Sequence, residues 1–135
     1  MKVNGEHYHS IWYDKNLDQV KIIDQRLLPY EFKILVIETL EDFENAIREM
    51  AVRGAPLIGA TAAFGLARQM LRDPSNKNLD LSWDRLNQTR PTAINLKWAL
   101  DRCRNHILNI PLKDRGYEAM QLAIEIANED VEINK

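Results

Sequence analysis

Two different hydrophobic periodicities divide the chain at about residue 38. Residues 8–38 contain three runs rich in β-branched and aromatic residues, HSIWYD, QVKIID and FKILVIE, which polar or proline-containing segments separate. Such runs are typical of short strands joined by turns. From residue 39 onward, apolar residues recur every three or four positions, as they do on one face of a helix. The pattern predicts an α+β fold in a single domain, residues 1–135, with a small antiparallel sheet over residues 1–38 and a helical bundle over residues 39–135.

Five helical segments are expected in the second region. Thr39 and Asp42 form a capping-box pattern, so a first helix of about 11 residues should begin there and end near Ala51. The other segments are a long helix from Pro56 to about Arg72, a short one at LSWDRLNQ after a DPSNKN loop, a long one from about Pro91 to Ile107, and a last one over residues 112–130. The last helix is apolar on more than one side, which predicts a following domain that covers it.

The second of these helices is the least polar part of the chain. It belongs to the stretch MAVRGAPLIGATAAFGLA, which has no charged residue between Gly54 and Ala67. A helix without a polar face is expected to be buried on nearly all sides. Pro56 fits the first turn, because a proline there removes an N–H group that would have no helical partner.

The start of this helix is a candidate anion site. The free N–H groups of Gly54, Ala55 and Leu57 would lie at the positive end of the helix dipole, and Arg53 directly before them is placed to add a bidentate contact to phosphate. A second stretch, QTRPTAINLKWAL, again sets an arginine, Arg90, and a proline before an apolar helix. Two arginines at two helix starts suggest one shared phosphate site.

A purely structural interpretation of the same residues stays open. Arg53 could instead pair with a carboxylate such as Glu49, and Gly59 and Gly65 could serve only to let helices approach closely. Sequence alone does not give the distance between the two helix starts, so both interpretations stand at this stage.

Composition and charge narrow the class of protein. The 135 residues are 45% hydrophobic, which is enough for one globular domain with a core, and the net charge of −2 gives no basic excess for nucleic acid or an anionic membrane. The start of the chain lacks the apolar core of a signal peptide, and no apolar run reaches the roughly 18 residues of a membrane helix. With a single cysteine and no possible intrachain disulfide, a cytoplasmic protein is expected.

The remaining reactive or aromatic side chains are interpreted as structural. Cys103 shares an apolar face with Leu96, Leu100 and Ile107, so we expect a buried thiol, and with His106 it provides too few ligands for a metal site. No metal and no cofactor are therefore predicted. Core or interdomain packing is expected for Trp12, Trp83 and Trp98, and a solvated helix start for KDRG, residues 113–116.

Three stretches carry a family resemblance that covers essentially the whole chain. MAVRGAPLIGATAAFGLA, RPTAINLKWALDR and IIDQRLLP together resemble the N-terminal domain of the methylthioribose-1-phosphate isomerase family, which is related to the regulatory subunits of translation initiation factor 2B. The resemblance implies a sheet and helical bundle here, a Rossmann-like C-terminal domain elsewhere, and a homodimer in methionine salvage. It also implies that Arg53, Gly54, Ala55 and Arg90 bind the sugar phosphate.

The resemblance also implies what this chain lacks. Family members carry a catalytic cysteine and aspartate in C-terminal Cys-Asn-Thr-Gly and Asn-Gly-Asp motifs, and neither motif occurs here. The catalytic domain is therefore expected to be missing, and this chain alone is expected to be inactive. The expected partners of the chain are that catalytic domain and the sugar phosphate. Two alternatives remain: a non-catalytic regulatory or assembly subunit of the initiation-factor type, and a ribose-1,5-bisphosphate isomerase.

Overall fold

In the residues that the structure describes, a small sheet region is followed by five helices, which confirms the α+β prediction. The structure is a computed structural model that describes residues 2–3, 6–7, 10–26, 30–52 and 54–133, with side chains described over 10–26, 30–52, 54 and 56–128. The strands are β1 (Lys2–Val3), β2 (Glu6–His7), β3 (Ile11–Asp14), β4 (Gln19–Ile23) and β5 (Ile34–Ile37), and the helices are α1 (Leu40–Arg48), α2 (Ala55–Arg72), α3 (Asn76–Gln88), α4 (Ile94–Leu108) and α5 (Arg115–Ile133).

The sheet is antiparallel throughout. Strands β3, β4 and β5 form a three-stranded sheet in that order, with Ile11 opposite Ile22 and Ile22 opposite Leu35. Val20 and Ile22 in the central strand are fully buried, because alternate residues of a strand point to the same face. A separate hairpin of β1 and β2 precedes this sheet and was not predicted.

Helix α2 is the centre of the bundle. It contacts each of the other four helices and also β3, and every residue from 57 to 67 is buried. The prediction of a helix buried on nearly all sides is confirmed. Gly59 and Gly65 provide the close approach that this central position needs, since a Cβ atom at either would lie 3.2 Å from a neighbouring side chain.

The predicted helix boundaries are partly wrong. Helix α1 has the predicted capping box of Thr39 and Asp42 but ends at Arg48, before Ala51. Helix α3 starts inside the expected DPSNKN loop, because the Ser75 side chain caps it by accepting from the N–H of Asn78. Helix α4 starts at Ile94. The expected start at Pro91 is incorrect, since residues 90–93 form a turn in which the N–H of Ala93 donates to the carbonyl oxygen of Arg90.

A 3-10 turn, Leu112–Asp114, precedes α5. Although the sequence suggested a solvated start for α5, Arg115 is buried. Its guanidinium donates to the carbonyl oxygens of Ile110 and Pro74 and to Oδ1 of Asn76, so it ties the start of α5 to the α2–α3 connection. Gly116 follows at a close contact with Leu71, the penultimate residue of α2. Packing against α2 and α3 therefore replaces the expected solvation.

Candidate phosphate-binding cleft

The N-terminal ends of α2 and α4 lie side by side at one cleft. A Cβ atom at Gly59, in the second turn of α2, would lie 3.2 Å from Cβ of Ala99 and 3.4 Å from the carbonyl oxygen of Asn95, so the two helices are in contact near their N-terminal ends. The cleft that they frame has a volume of about 570 Å³ and is lined by Met50, Gly54, Ile58, Arg90, Thr92, Ala93, Ile94, Asn95 and Leu96. This volume falls within the usual range of small-molecule sites.

Gly54 is the residue directly before α2, and its backbone requires glycine. Its φ of 92° lies in the left-handed region, where a side chain would be strained. Apart from Gly54 and its two chain neighbours, no described residue has an atom within 4 Å of the position that a Cβ would take. The backbone at the start of α2 is therefore open to close approach from the cleft.

Both helices leave backbone donors free at this end. The first helical bond of α2 runs from the N–H of Ile58 to the carbonyl oxygen of Gly54, and the corresponding bond of α4 runs from Lys97 to Ala93. The preceding N–H groups have no partner within either helix. Neither helix has a side-chain cap or an acidic residue in its first turn. Because two positive helix ends meet without a competing carboxylate, the cleft suits an anion.

Arg90 supplies the side-chain charge of the cleft. It is half-buried, and its guanidinium forms no hydrogen bond or ion pair with any residue that the structure describes. Among the described lining residues, it is also the only charged one. An unpaired guanidinium beside free backbone donors can bind a phosphate dianion through two parallel charge-assisted hydrogen bonds.

The predicted site residues can be placed only in part. Gly54 and Arg90 line the same cleft, while Ala55 is the first residue of α2 and its side chain is not described. Arg53 lies outside the described residues, so neither its contact with an anion nor the alternative pair with Glu49 is tested. The close packing of Gly59 and Gly65 agrees with the structural interpretation of those two residues and is compatible with an anion site at the helix start.

The loop before α2 is held from the sheet side. The N–H of Gln25 donates to the carbonyl oxygen of Ala51 at 2.9 Å, and both Ala51 and Val52 are buried. The turn that carries Gln25 is fixed in its place by Asp24, a buried carboxylate that accepts from the backbone N–H, Nε and Nη2 of Arg26. The hydrogen bond from the Arg26 guanidinium holds the pKa of Asp24 below its ordinary value. A fixed loop keeps the donors of α2 in place before a ligand arrives.

The lining of the cleft suits binding rather than proton transfer. Its described residues include no carboxylate, histidine or cysteine. Cys103 lies in the core, as predicted, and burial raises the pKa of its thiol to about 12. His106 lies 3.8 Å from a carboxylate oxygen of Glu118, and the described residues contain no group of three potential ligands that could hold a metal ion.

The three tryptophans have different environments. Trp12 and Trp83 are half-buried, and the indole N–H of Trp83 donates to Asp101 at 3.0 Å. Trp98 is 58% exposed on α4, with the Arg102 guanidinium over its ring. A core role for Trp98 within the described part of this chain is therefore wrong, and its possible role as an interdomain anchor is not tested.

Several residues of the cleft were not predicted from the sequence. Met50 and Ile58 belong to the first anion motif, and Thr92 and Asn95 belong to the second. Their membership in the two motifs was the available signal. Their convergence depends on how α2 and α4 pack, and a one-dimensional pattern does not contain that information.

Comparison with known proteins confirms the resemblance and defines the family. The chain belongs to the initiation factor 2 subunit family, whose model matches residues 51–135. Over its full length it is 52% identical to the methylthioribose-1-phosphate isomerase of Sinorhizobium medicae (strain WSM419) and 53% identical to that of Rhizobium meliloti (strain 1021). It spans only 37% of the length of each of these curated relatives.

Two solved structures share the fold. The crystal structure of 5-methylthioribose 1-phosphate isomerase from Pyrococcus horikoshii OT3 matches with a TM-score of 0.83 at 38% identity, covering 94% of this chain and 38% of that one. The delta subunit of the translation initiation factor eIF-2B from A. fulgidus matches with a TM-score of 0.83 at 32% identity, covering 93% and 38%. In the described part of the chain, no helix is long and apolar enough to cross a membrane.

Proposed function

We propose that this chain is the N-terminal, phosphate-binding domain of an aldose–ketose isomerase that converts methylthioribose 1-phosphate to methylthioribulose 1-phosphate in methionine salvage. The observation that carries the proposal is the meeting of Gly54, Arg90 and the start of α4 at one cleft that no described carboxylate lines. The names of the relatives at about 52% identity support the choice of substrate.

The domain would contribute binding and positioning to the reaction. In a sugar 1-phosphate the anomeric oxygen is blocked, so the ring must open before a proton moves from C2 to C1, and both steps need acid–base groups in a site closed to water. The N–H groups of α2 and α4 and the guanidinium of Arg90, together with Arg53, would neutralise the dianion and fix the sugar. Groups from a C-terminal catalytic domain would transfer the proton.

A kinetic comparison in the complete natural protein tests this role. Arg90→Ala should raise KM for methylthioribose 1-phosphate by about 10- to 100-fold with a smaller change in kcat, because it removes a charge-assisted contact present throughout the reaction. Arg53→Ala should have an effect of the same sign. The matched control is Arg72→Ala, which removes an exposed arginine at the opposite end of α2 and should leave KM unchanged. An unchanged KM in Arg90→Ala would remove Arg90 from the site.

A non-catalytic subunit is the second candidate function, because the fold matches the eIF-2B delta subunit with the same TM-score as the isomerase. Turnover separates the two. If the complete protein folds and binds phosphate but converts neither methylthioribose 1-phosphate nor ribose 1,5-bisphosphate, the result would favour the non-catalytic subunit. If it converts ribose 1,5-bisphosphate alone, the protein would be an isomerase of that substrate instead.

We further propose, from the motif resemblance, that the complete protein is a cytoplasmic homodimer. Its mass in sedimentation equilibrium and its distribution on cell fractionation test the two parts of this proposal. A mass corresponding to one chain would contradict the dimer.

A further inference from the structure

Met50 has a backbone conformation that its side chain does not favour. Helix α1 is followed by Glu49 as its C-cap, and Met50 comes next with φ of 63°, in the left-handed region. The residue in this position ends a helix most favourably when it is glycine, because a Cβ atom there is strained. Asp18, at φ of 52°, is the other non-glycine residue of the described chain with positive φ, and aspartate tolerates that region.

Burial in the core does not explain the choice of methionine. The Met50 side chain is 44% exposed and is not part of the hydrophobic core. It lines the cleft together with Gly54 and Arg90. Backbone strain that is retained at a residue lining a ligand cleft is a recognised sign of function. Glycine at position 50 would relieve this strain without loss to the core.

The cleft has a polar part and an apolar part. Arg90, Thr92, Asn95 and the free N–H groups form its polar part, while Met50, Ile58 and Ile94 provide apolar surface. Ile94 is 82% exposed, so this surface is available to a ligand. A cleft of this composition fits a phosphate ester that carries an apolar group, and a flexible, polarizable thioether can adapt to such a group.

We propose that Met50 is a specificity-determining residue, whose side chain contacts the apolar group of a sugar phosphate held by the start of α2, the start of α4 and Arg90. This inference rests on the proposed phosphate site. It predicts that Met50 contributes to the preference for methylthioribose 1-phosphate over ribose 1-phosphate, which has no methylthio group, and contributes little to phosphate binding itself.

Calorimetric titration of the complete protein tests the proposal with three variants. Met50→Gly should keep or raise the Tm, leave the Kd for inorganic phosphate within about twofold of wild type, and reduce the preference for the methylthio sugar about five- to tenfold, as expected for losing part of a buried apolar contact. Met50→Asn, which tolerates the backbone and is polar, should reduce the preference similarly. Met50→Leu should retain it.

The outcomes separate this inference from the function on which it rests. An unchanged preference in Met50→Gly, or equal weakening of inorganic phosphate and both sugars, overturns the role of Met50, because the second result reports a loosened loop. If wild-type protein binds no inorganic phosphate and Arg90→Ala does not weaken either sugar, the phosphate site is wrong. A selective loss of preference in Met50→Gly would still support the contact with Met50 in that case.

Discussion

Asp24 shows how one buried carboxylate can act on a site that it does not line. It holds the turn that contains Gln25, and the N–H of Gln25 holds Ala51, three residues before Gly54. Asp24 itself is not a lining residue of the cleft. The effect of this arrangement is to fix the approach to α2.

Asp24→Asn should therefore make stability less dependent on pH. The folded protein lowers the pKa of Asp24 from 3.8, so its ionised form contributes stability above about pH 4, and that contribution is lost as pH falls through the folded pKa. Urea unfolding should show wild type more stable than the variant near neutral pH by about 1–3 kcal/mol. The difference should shrink as the pH is lowered from about 5 through 3.8 and below. A difference that stays constant over this range would mean that Asp24 does not titrate as described.

At the scale of elements, the spacing of α2 and α4 sets the shape of the cleft. The two helices touch near their N-terminal ends through Gly59 and Ala99, and the side chain of Ala99 is too short to rotate away from an added methyl group. Gly65 lies further along α2 and faces Phe43 and Leu86, on α1 and α3, at an equally short 3.2 Å. The two glycines thus form a matched pair, one beside the cleft and one away from it.

Gly59→Ala should weaken phosphate binding, whereas Gly65→Ala should not. The added methyl group at Gly59 must push the starts of α2 and α4 apart by a few tenths of an ångström, which separates the donors that share one anion. Both variants should change the free energy of unfolding by about 3 kcal/mol at most, because the strain of the close contact opposes the gain in helix propensity when alanine replaces glycine. Phosphate titration of each folded variant measures the difference. Equal affinities in the two variants would contradict the role of helix spacing.

Local signals in the sequence predicted some helix ends correctly and missed others. The start of α1 was predictable because Thr39 and Asp42 form a reciprocal cap within four residues. The start of α3 was missed because Ser75 lies in a polar run that also fits a loop, and the start of α4 was misplaced because Pro91 suits a turn as well as a helix.

The residues of the cleft also divide into those that local sequence signals predicted and those that they did not. Gly54 and Arg90 were predictable because each stands shortly before a proline in its motif, whereas Met50 and Asn95 stand in the same motifs but line the cleft only because of how α1, α2 and α4 pack.

At the scale of the whole molecule, the proposed anion site is a local feature of an acidic protein. The net charge is −2, so in the proposed site the attraction for phosphate would come from the helix ends and Arg90 rather than from the overall field. Because α2 contacts all four other helices, the helix that carries these donors is held by nearly the entire bundle. Rigid support of this kind suits a domain that positions a substrate while other groups carry out the chemistry.

The most direct test is a crystal structure of the complete protein with methylthioribose 1-phosphate bound. The expected result places phosphate oxygens within about 3 Å of the N–H groups at the start of α2 and of the Arg90 guanidinium, with the methylthio group toward Met50. A phosphate bound elsewhere, with the cleft between α2 and α4 empty, would contradict the assignment of this domain as the part that binds the substrate phosphate.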